Sequence, residues 1–395
     1  MASRFYMPTP GSAGNPQKLL RILSAGVTAL PNTPNTHNIY GYGLLEAGRY
    51  PEAIHEFETF VALAPREPNP YDSLADGYLL AGDAAKAVES YSRALTIDPT
   101  FHASRNGRAF SLAALGRYDE AIAEKPTIPS VRAFIFARVG RYNDAAKTIA
   151  LGIQESVRNE DVPEHVWMLF ASSALAIELK DYQRALLDIQ SARRLLAGMP
   201  EEPRRAAVRL ANLLTGVAQL GAGRADIART YLDAERRLGE PAGEIDRWWS
   251  KALEGEIALA DGDFEKASGA FAAGEPTGRM WFSLQQRTVT LLANDLILRD
   301  APARVAQARG DLAGAIQVYR RLLVYDRDQK WVATFQPRYV FEIARLLEQR
   351  GEIQQARVEY ERFLGLWKTA DPDLPELAEA KRAVDHLRRR TGNRD

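Results

Sequence analysis

One phrase of residues returns along this chain at a fixed distance, and it limits the possible fold more than any other feature. A glycine is followed five residues later by alanine, nine later by an aromatic and seventeen later by proline. The phrase reads Gly48, Ala53, Phe57, Pro65, then Gly82, Ala87, Tyr91, Pro99, and begins again with Gly116, Tyr118 and Ala121. The step from Gly48 to Gly82, and from Gly82 to Gly116, is 34 residues. A period of that length corresponds to one helical hairpin per unit. A lone hairpin cannot bury its apolar face, so such units stack into a solenoid.

The residues between the fixed points support two antiparallel helices per unit. Residues 37–46 place Tyr40, Gly41 and Leu44 at helical spacing, and Gly48 ends that helix. Residues 51–63 open with a proline, which the first turn tolerates, and carry Ala53, Ile54, Phe57, Phe60 and Val61 on one face. Pro65 ends the second helix. The next unit repeats this with Tyr71, Leu74 and Tyr78, then Ala87, Tyr91 and Ala94.

Further turns are expected at Gly140, Lys180, Gly223, Gly262, Gly310 and Gly351, each with an alanine five residues on. Their spacings after Gly116 are 24, 40, 43, 39, 48 and 41. The short step has a cause. Pro126 and Pro129 cut the second helix after Gly116 to about two turns, because proline removes an interior helix bond. A bend or loss of register is therefore expected near 125–130. The longer later steps predict longer helices or loops, with an extended or extra helix over 283–298. Upstream, Gly14 and Pro31 each lie 34 residues before their counterparts, so residues 15–30 read as a second helix without its first. The opening MASRFYMPTPG is a poor helix, and the chain begins in mid-repeat. At the other end, residues 377–390 carry Leu377, Ala380, Val384 and Leu387 on one face and read as a cap.

These residues resemble the tetratricopeptide repeat (TPR). The likeness is specific over 34–125 and looser to 368. It implies an all-α, right-handed superhelical solenoid of about nine hairpins plus a C-terminal capping helix. The expected divisions are an N-terminal segment with a half-repeat helix (1–33), a regular sub-stack (34–125), an irregular sub-stack (126–368) and a cap with tail (369–395). Residues 60–83 and 358–377 are similar to TPR regions that follow kinase, cyclase or winged-helix domains in bacterial signalling proteins.

In such proteins the concave groove is lined by the first helix of each hairpin. Carried onto this sequence, that row is Asn38, Tyr42, Asp72, Asp76, Asn106, Phe110, Phe134 and Arg138. Its polar and aromatic mix suits an extended peptide or a partner helix. The lysine–asparagine–arginine clamp that grips chaperone carboxylates is not matched, since Asn38, Tyr42 and Ser73 stand at the corresponding places. Trp248 and Trp249 are possible anchors, as Trp is enriched at binding hot spots. Adjacent helical residues point about 100° apart, so one of the pair is expected to face away from the core. Trp281 and Trp331 invite the same question.

Chemistry is sparse. The chain has equal acidic and basic totals of 51 and a formal net charge of zero, which argues against nucleic acid as partner. It has no cysteine, which excludes disulfides and thiolate sites. The five histidines include no pair three to five residues apart, so no helical metal pair exists. Solvated or capping roles are expected for them. Gly41, Gly43 and Gly48 lie on a helix and its turn and not after a strand, so they read as packing and not as a phosphate loop. No nucleophile elbow or Walker loop occurs. No cofactor is implied, and no run reaches the roughly 18 apolar residues of a membrane span. The expectation is a non-catalytic scaffold binding a protein or peptide on its concave face, in bacterial signalling or complex assembly. The alternative is a sensor or regulatory segment of a larger enzyme or transcription regulator. Cytoplasmic placement is expected, or periplasmic if an upstream anchor or signal has been removed.

Overall fold

The computed structural model describes residues 16–241, 244–275, 299–324 and 335–392. The expectations for 283–298, Trp281, Trp331 and the opening eleven residues lie outside these. Among the described residues there are twenty α-helices and no strand. Helix α1 (Pro16–Ala29) precedes the hairpins. Nine hairpins follow. They are α2 (Pro34–Glu46) with α3 (Tyr50–Leu63), α4 (Pro68–Ala81) with α5 (Ala84–Ile97), and α6 (His102–Ala114) with α7 (Tyr118–Ala123). Next come α8 (Pro129–Arg138) with α9 (Tyr142–Arg158), α10 (Val162–Glu178) with α11 (Tyr182–Leu195), and α12 (Glu201–Gly221) with α13 (Ala225–Arg237). The last are α14 (Glu244–Ala260) with α15 (Phe264–Gly274), α16 (Ala301–Ala308) with α17 (Leu312–Leu322), and α18 (Pro337–Gln349) with α19 (Ile353–Leu366). The chain ends in α20 (Pro375–Gly392).

Each hairpin is built on the same two residues. Gly48, Gly82, Gly116, Gly140, Gly223, Gly262, Gly310 and Gly351 all have φ between 72° and 95°. In that left-handed region a Cβ meets the following carbonyl, so glycine is favoured. The turn closes in the same way throughout: at the first, Gly48 N–H donates to Leu45 O at 3.0 Å and Arg49 N–H to Leu44 O at 2.9 Å. Five residues on, the alanines at 53, 87, 121, 145, 185, 228, 267, 315 and 356 are all 0% exposed. A methyl group there lets the two helices approach closely, and the aromatics fill the remaining space. Phe57, at 0% exposure, lies over Gly41 so tightly that a Cβ on Gly41 would sit 2.5 Å from its ring.

Helix length follows the prolines and the spacing. α7 has only 6 residues before Pro126 and Pro129, whereas α9, α10 and α14 have 17 and α12 has 21. On α20 the apolar stripe is packed, with Leu377 5%, Ala380 0%, Val384 5% and Leu387 0% exposed.

The chain divides into two compact units, α1–α7 and α8–α20. In the first, successive helices pack in chain order. The second adds contacts between its two ends. Trp367 Nε1 donates to Arg138 O at 2.9 Å across 229 residues of sequence. Asp371 N–H donates to Gly140 O at 3.0 Å, and Asp371 Oδ2 accepts from Asn143 N–H at 2.8 Å. The Trp367 ring meets Tyr142 edge-on at 6.1 Å. Tyr142 donates to Glu178 Oε1 at 2.7 Å, and Arg338 bridges Glu178 at 3.2 Å and Glu376 at 2.9 Å. The loop after α19 thus caps the α8–α9 turn, and a buried cation joins α10, α18 and α20. A lone buried charge would be strongly unfavourable, and here each is opposed.

Two consequences can be measured by chemical denaturation. Lys180 occupies the turn position that is glycine in the other eight hairpins, with φ 61° and an exposed side chain. Lys180→Gly is expected to stabilise by roughly 1 kcal/mol, from relief of the left-handed penalty. Gly140 carries two constraints, since a Cβ there would lie 2.7 Å from the Ala370 Cβ and 2.9 Å from the Trp367 ring. Around Gly223 a Cβ would meet nothing within 4 Å. Gly223→Ala is expected to cost about 1 kcal/mol and Gly140→Ala at least about twice that.

Candidate functional site: the row of first helices

In the first unit α2, α4 and α6 stand side by side, and polar side chains on their facing surfaces join them. Tyr42 on α2 donates to Asp76 Oδ2 on α4 at 2.9 Å and to Ser73 Oγ at 3.3 Å. Ser104 on α6 donates to Asp72 Oδ1 on α4 at 2.5 Å. Tyr91, from α5, donates to the other oxygen of Asp76. The Tyr42–Asp76 pair spans 34 residues and Ser104–Asp72 spans 32, so each bond joins neighbouring first helices at close to one repeat's separation. Asn106 turns back within its own helix, donating to His102 O at 2.8 Å. Asn38 Oδ1 is buried without a hydrogen-bond partner.

The electrostatics follow from burial. Asp72 and Asp76 lie one turn apart on α4. Desolvation, and secondarily the neighbouring Asp76 charge, push the Asp72 carboxyl up to about 8, against a smaller opposing effect from Ser104. Tyr42 and Tyr91 are both driven well above the ordinary phenol range, first by burial and then by Asp76. Close carboxyls titrate as a pair, and one proton shared among these groups satisfies both Coulomb's law and the hydroxyl donors.

The eight expected groove residues are therefore not one open surface. Asn38, Asp72 and Asn106 are buried, and Phe110 is 0% exposed. Only Tyr42 and Asp76 remain half-exposed. Phe134 and Arg138 belong to the second unit and are 0% and 1% exposed. The Arg138 guanidinium stacks 4.2 Å from the Phe134 ring, and the Arg138 carbonyl is held by Trp367. They are core residues because the end of the unit packs over them. Exposed side chains on the row include Asn35 and Ile39, the latter 38% exposed. Sequence reasoning passed over them, although Ile39 is an apolar residue one position after a buried Asn38.

Trp248 and Trp249 correct a second expectation, being 4% and 2% exposed. Helix α14 packs against α12, α13 and α15, so directions 100° apart are both covered. His37 is likewise buried and not solvated, with its ring nitrogens 2.7 Å from Glu56 Oε2 and 2.8 Å from Pro31 O.

Residues 70–101 match the tetratricopeptide repeat family model. That segment of the chain is similar to one tetratricopeptide repeat. The match covers α4 and α5, the hairpin that carries Asp72, Asp76 and Tyr91. No curated protein matches the sequence. Solved structures with a similar arrangement include a TPR protein from Parabacteroides merdae, 15% identical over 71% of this chain and 93% of that one, with a TM-score of 0.40. Pseudomonas aeruginosa pilF is 16% identical over 60% and 89%, with a TM-score of 0.34. Yeast Tom70 is 13% identical over 90% and 96%, with a TM-score of 0.31. At such values these likenesses carry no argument, and the repeat match speaks for residues 70–101.

Among the described residues, no group of three His, Asp or Glu side chains is placed to hold a metal, and no helix is long and apolar enough to cross a membrane. The carboxyl pair has a testable signature. The folded state holds a proton on Asp72 that the unfolded chain releases near pH 4, so stability falls as pH rises from about 4 to about 8. Asp72→Asn keeps the acceptor for Ser104 and removes this slope. The wild type is expected to lose a few kcal/mol more than the variant between pH 5 and pH 8 in denaturation midpoints.

Proposed function

We propose that this TPR protein is a scaffold that binds a protein or peptide partner along the α2–α4–α6 row, in signalling or complex assembly. One observation carries the reading. Three consecutive first helices are tied to one another by side-chain hydrogen bonds, which holds an extended surface in place before any partner arrives. Pre-organisation of that kind lowers the ordering cost of binding. The carboxyl and phenol groups of the row are engaged in joining helices, so their role is positional. The surface offered to a partner comprises Asn35, Ile39 and the half-exposed edges of Tyr42 and Asp76.

The test is capture from a native lysate with quantitative mass spectrometry. Asn35→Ala with Ile39→Glu changes exposed positions only. The double variant is expected to keep the wild-type melting temperature and to lose most captured partner, about ten-fold or more, as removal of a contact worth 1.4 kcal/mol or more does. Undiminished capture by a folded double variant overturns the assignment to this row.

A further inference from the structure

A half-buried cation of the second unit lacks a counter-charge. Helices α11 and α13 each pack on α12, and Arg193, in the last turn of α11, reaches into the space between them. Its Nη2 donates to Asn212 Oδ1 at 2.8 Å and to Thr215 Oγ1 at 3.4 Å, both on α12, and its guanidinium lies 5.3 Å from the Tyr231 ring of α13. These partners are all neutral. Asn212 Nδ2 donates in turn to Glu235 Oε2 at 3.0 Å, but the other oxygen of Glu235 is held by Arg209, which also donates to Gly239 O at 2.9 Å. The network therefore sets two guanidinium groups against one carboxylate. Burial pushes the Arg193 guanidinium down from its ordinary value, with only the Tyr231 hydroxyl opposing that effect. Among the described residues nothing bonds Arg193 Nε or Nη1, and neither nitrogen is buried. Charged donors thus face solvent from a partly desolvated setting, where an anion is held more tightly than on an open surface. The flanks are apolar. Ile227 and Leu238, four residues before and seven after Tyr231, share its side of α13 and are 41% and 38% exposed.

We infer that the surface between α11 and α13 is a docking site for an acidic segment of a partner protein, whose Asp or Glu carboxylate accepts from Arg193 while an adjoining apolar side chain rests on Ile227, Tyr231 and Leu238. Charge selects the carboxylate, because the network is short of one negative charge and an anion there meets a cation that no residue of the chain already neutralises. The apolar flanks select a peptide over a nucleic acid, whose backbone is tracked by a succession of cations and not by one beside isoleucine and leucine. The bond from Nη2 to Asn212 and the Tyr231 ring hold the guanidinium in place, so little side-chain freedom is lost when the carboxylate arrives.

The site shares no residue with the α2–α4–α6 row, so its test is independent of the proposal above. The probe is a fluorescein-labelled decapeptide of alternating Leu and Glu, and the control is its isostere with every Glu replaced by Gln. Fluorescence anisotropy is expected to show the acidic peptide binding about ten-fold tighter or more. Arg193→Gln keeps a donor for Asn212 and is expected to erase that preference with an unchanged circular dichroism melt. Ile227→Asp, at an exposed position outside the network, is expected to weaken binding of the acidic peptide as strongly. Arg236→Gln, which removes a cation of α13 paired with Asp233, is expected to leave the preference intact, as is Asn35→Ala with Ile39→Glu. Equal affinity for the two peptides, no binding of the acidic one, its retention by folded Arg193→Gln, or an equal loss with Arg236→Gln overturns the inference. So does a single-stranded DNA decamer that displaces the acidic peptide from the wild type and loses affinity with Arg193→Gln, since the site would then belong to a nucleic acid. A wild-type dimer in sedimentation that Arg193→Gln dissociates overturns it too, in favour of a second copy.

Discussion

Everything in this protein depends on how closely two helices can lie after a left-handed turn. A residue at φ near 75° reverses the chain, and a fully buried methyl five residues later lets the returning helix settle against the first. The constraint is steric and acts on both partners at once. A larger side chain at the alanine would push the helices apart, and the aromatic four residues on would lose the surface it covers. Because this unit is local, it tolerates great variation between turns. Helices range from 6 residues in α7 to 21 in α12 without a change in the joint. Lys180 shows the margin: one turn of nine is made without glycine, at an energetic penalty small enough for the packed alanine at 185 to offset.

A second constraint operates between hairpins and is polar. First helices that stand side by side enclose the residues between them, and in the first unit these include two carboxyls and the Tyr42 phenol, with the Tyr91 phenol reaching in from α5. Buried polar groups must find partners or raise the cost of folding. Tyr42 and Ser104 meet Asp76 and Asp72 at close to one repeat's separation, so the same periodicity that builds the hairpins also supplies the donors. The result is specificity of register. A slip by one residue along α4 would leave carboxyls facing apolar surface, a stronger penalty than the loss of an apolar contact.

The hairpins were legible in the sequence because their determinants are local and repeat. Eight of the nine turns and their buried alanines could be read from a glycine-to-alanine step, and the ninth from Lys180 and Ala185, even where spacing drifted to 48 residues. The site was less legible, because exposure is not a local property. Asn38, Asp72 and Asn106 are polar residues on the expected row, yet the neighbouring first helices cover them. Phe134 and Arg138 were unreadable for a longer-range reason: the residue that holds the Arg138 carbonyl is Trp367, 229 positions away. Trp248 and Trp249 failed as anchors because α14 is enclosed by three neighbours, which a helical wheel does not register.

The two units solve the problem of their ends differently. A repeat array always has a last face with nothing to pack on, and exposed apolar faces invite association. In the second unit α20 covers the final hairpin, and the loop before it returns to the α8–α9 turn, where Gly140 leaves room for Ala370 and Trp367. The charges that join this closure are opposed on both sides of Arg338, so opening it would strand a buried cation. In the first unit α1 packs on α2, with Leu20 and Leu23 lying over Gly43.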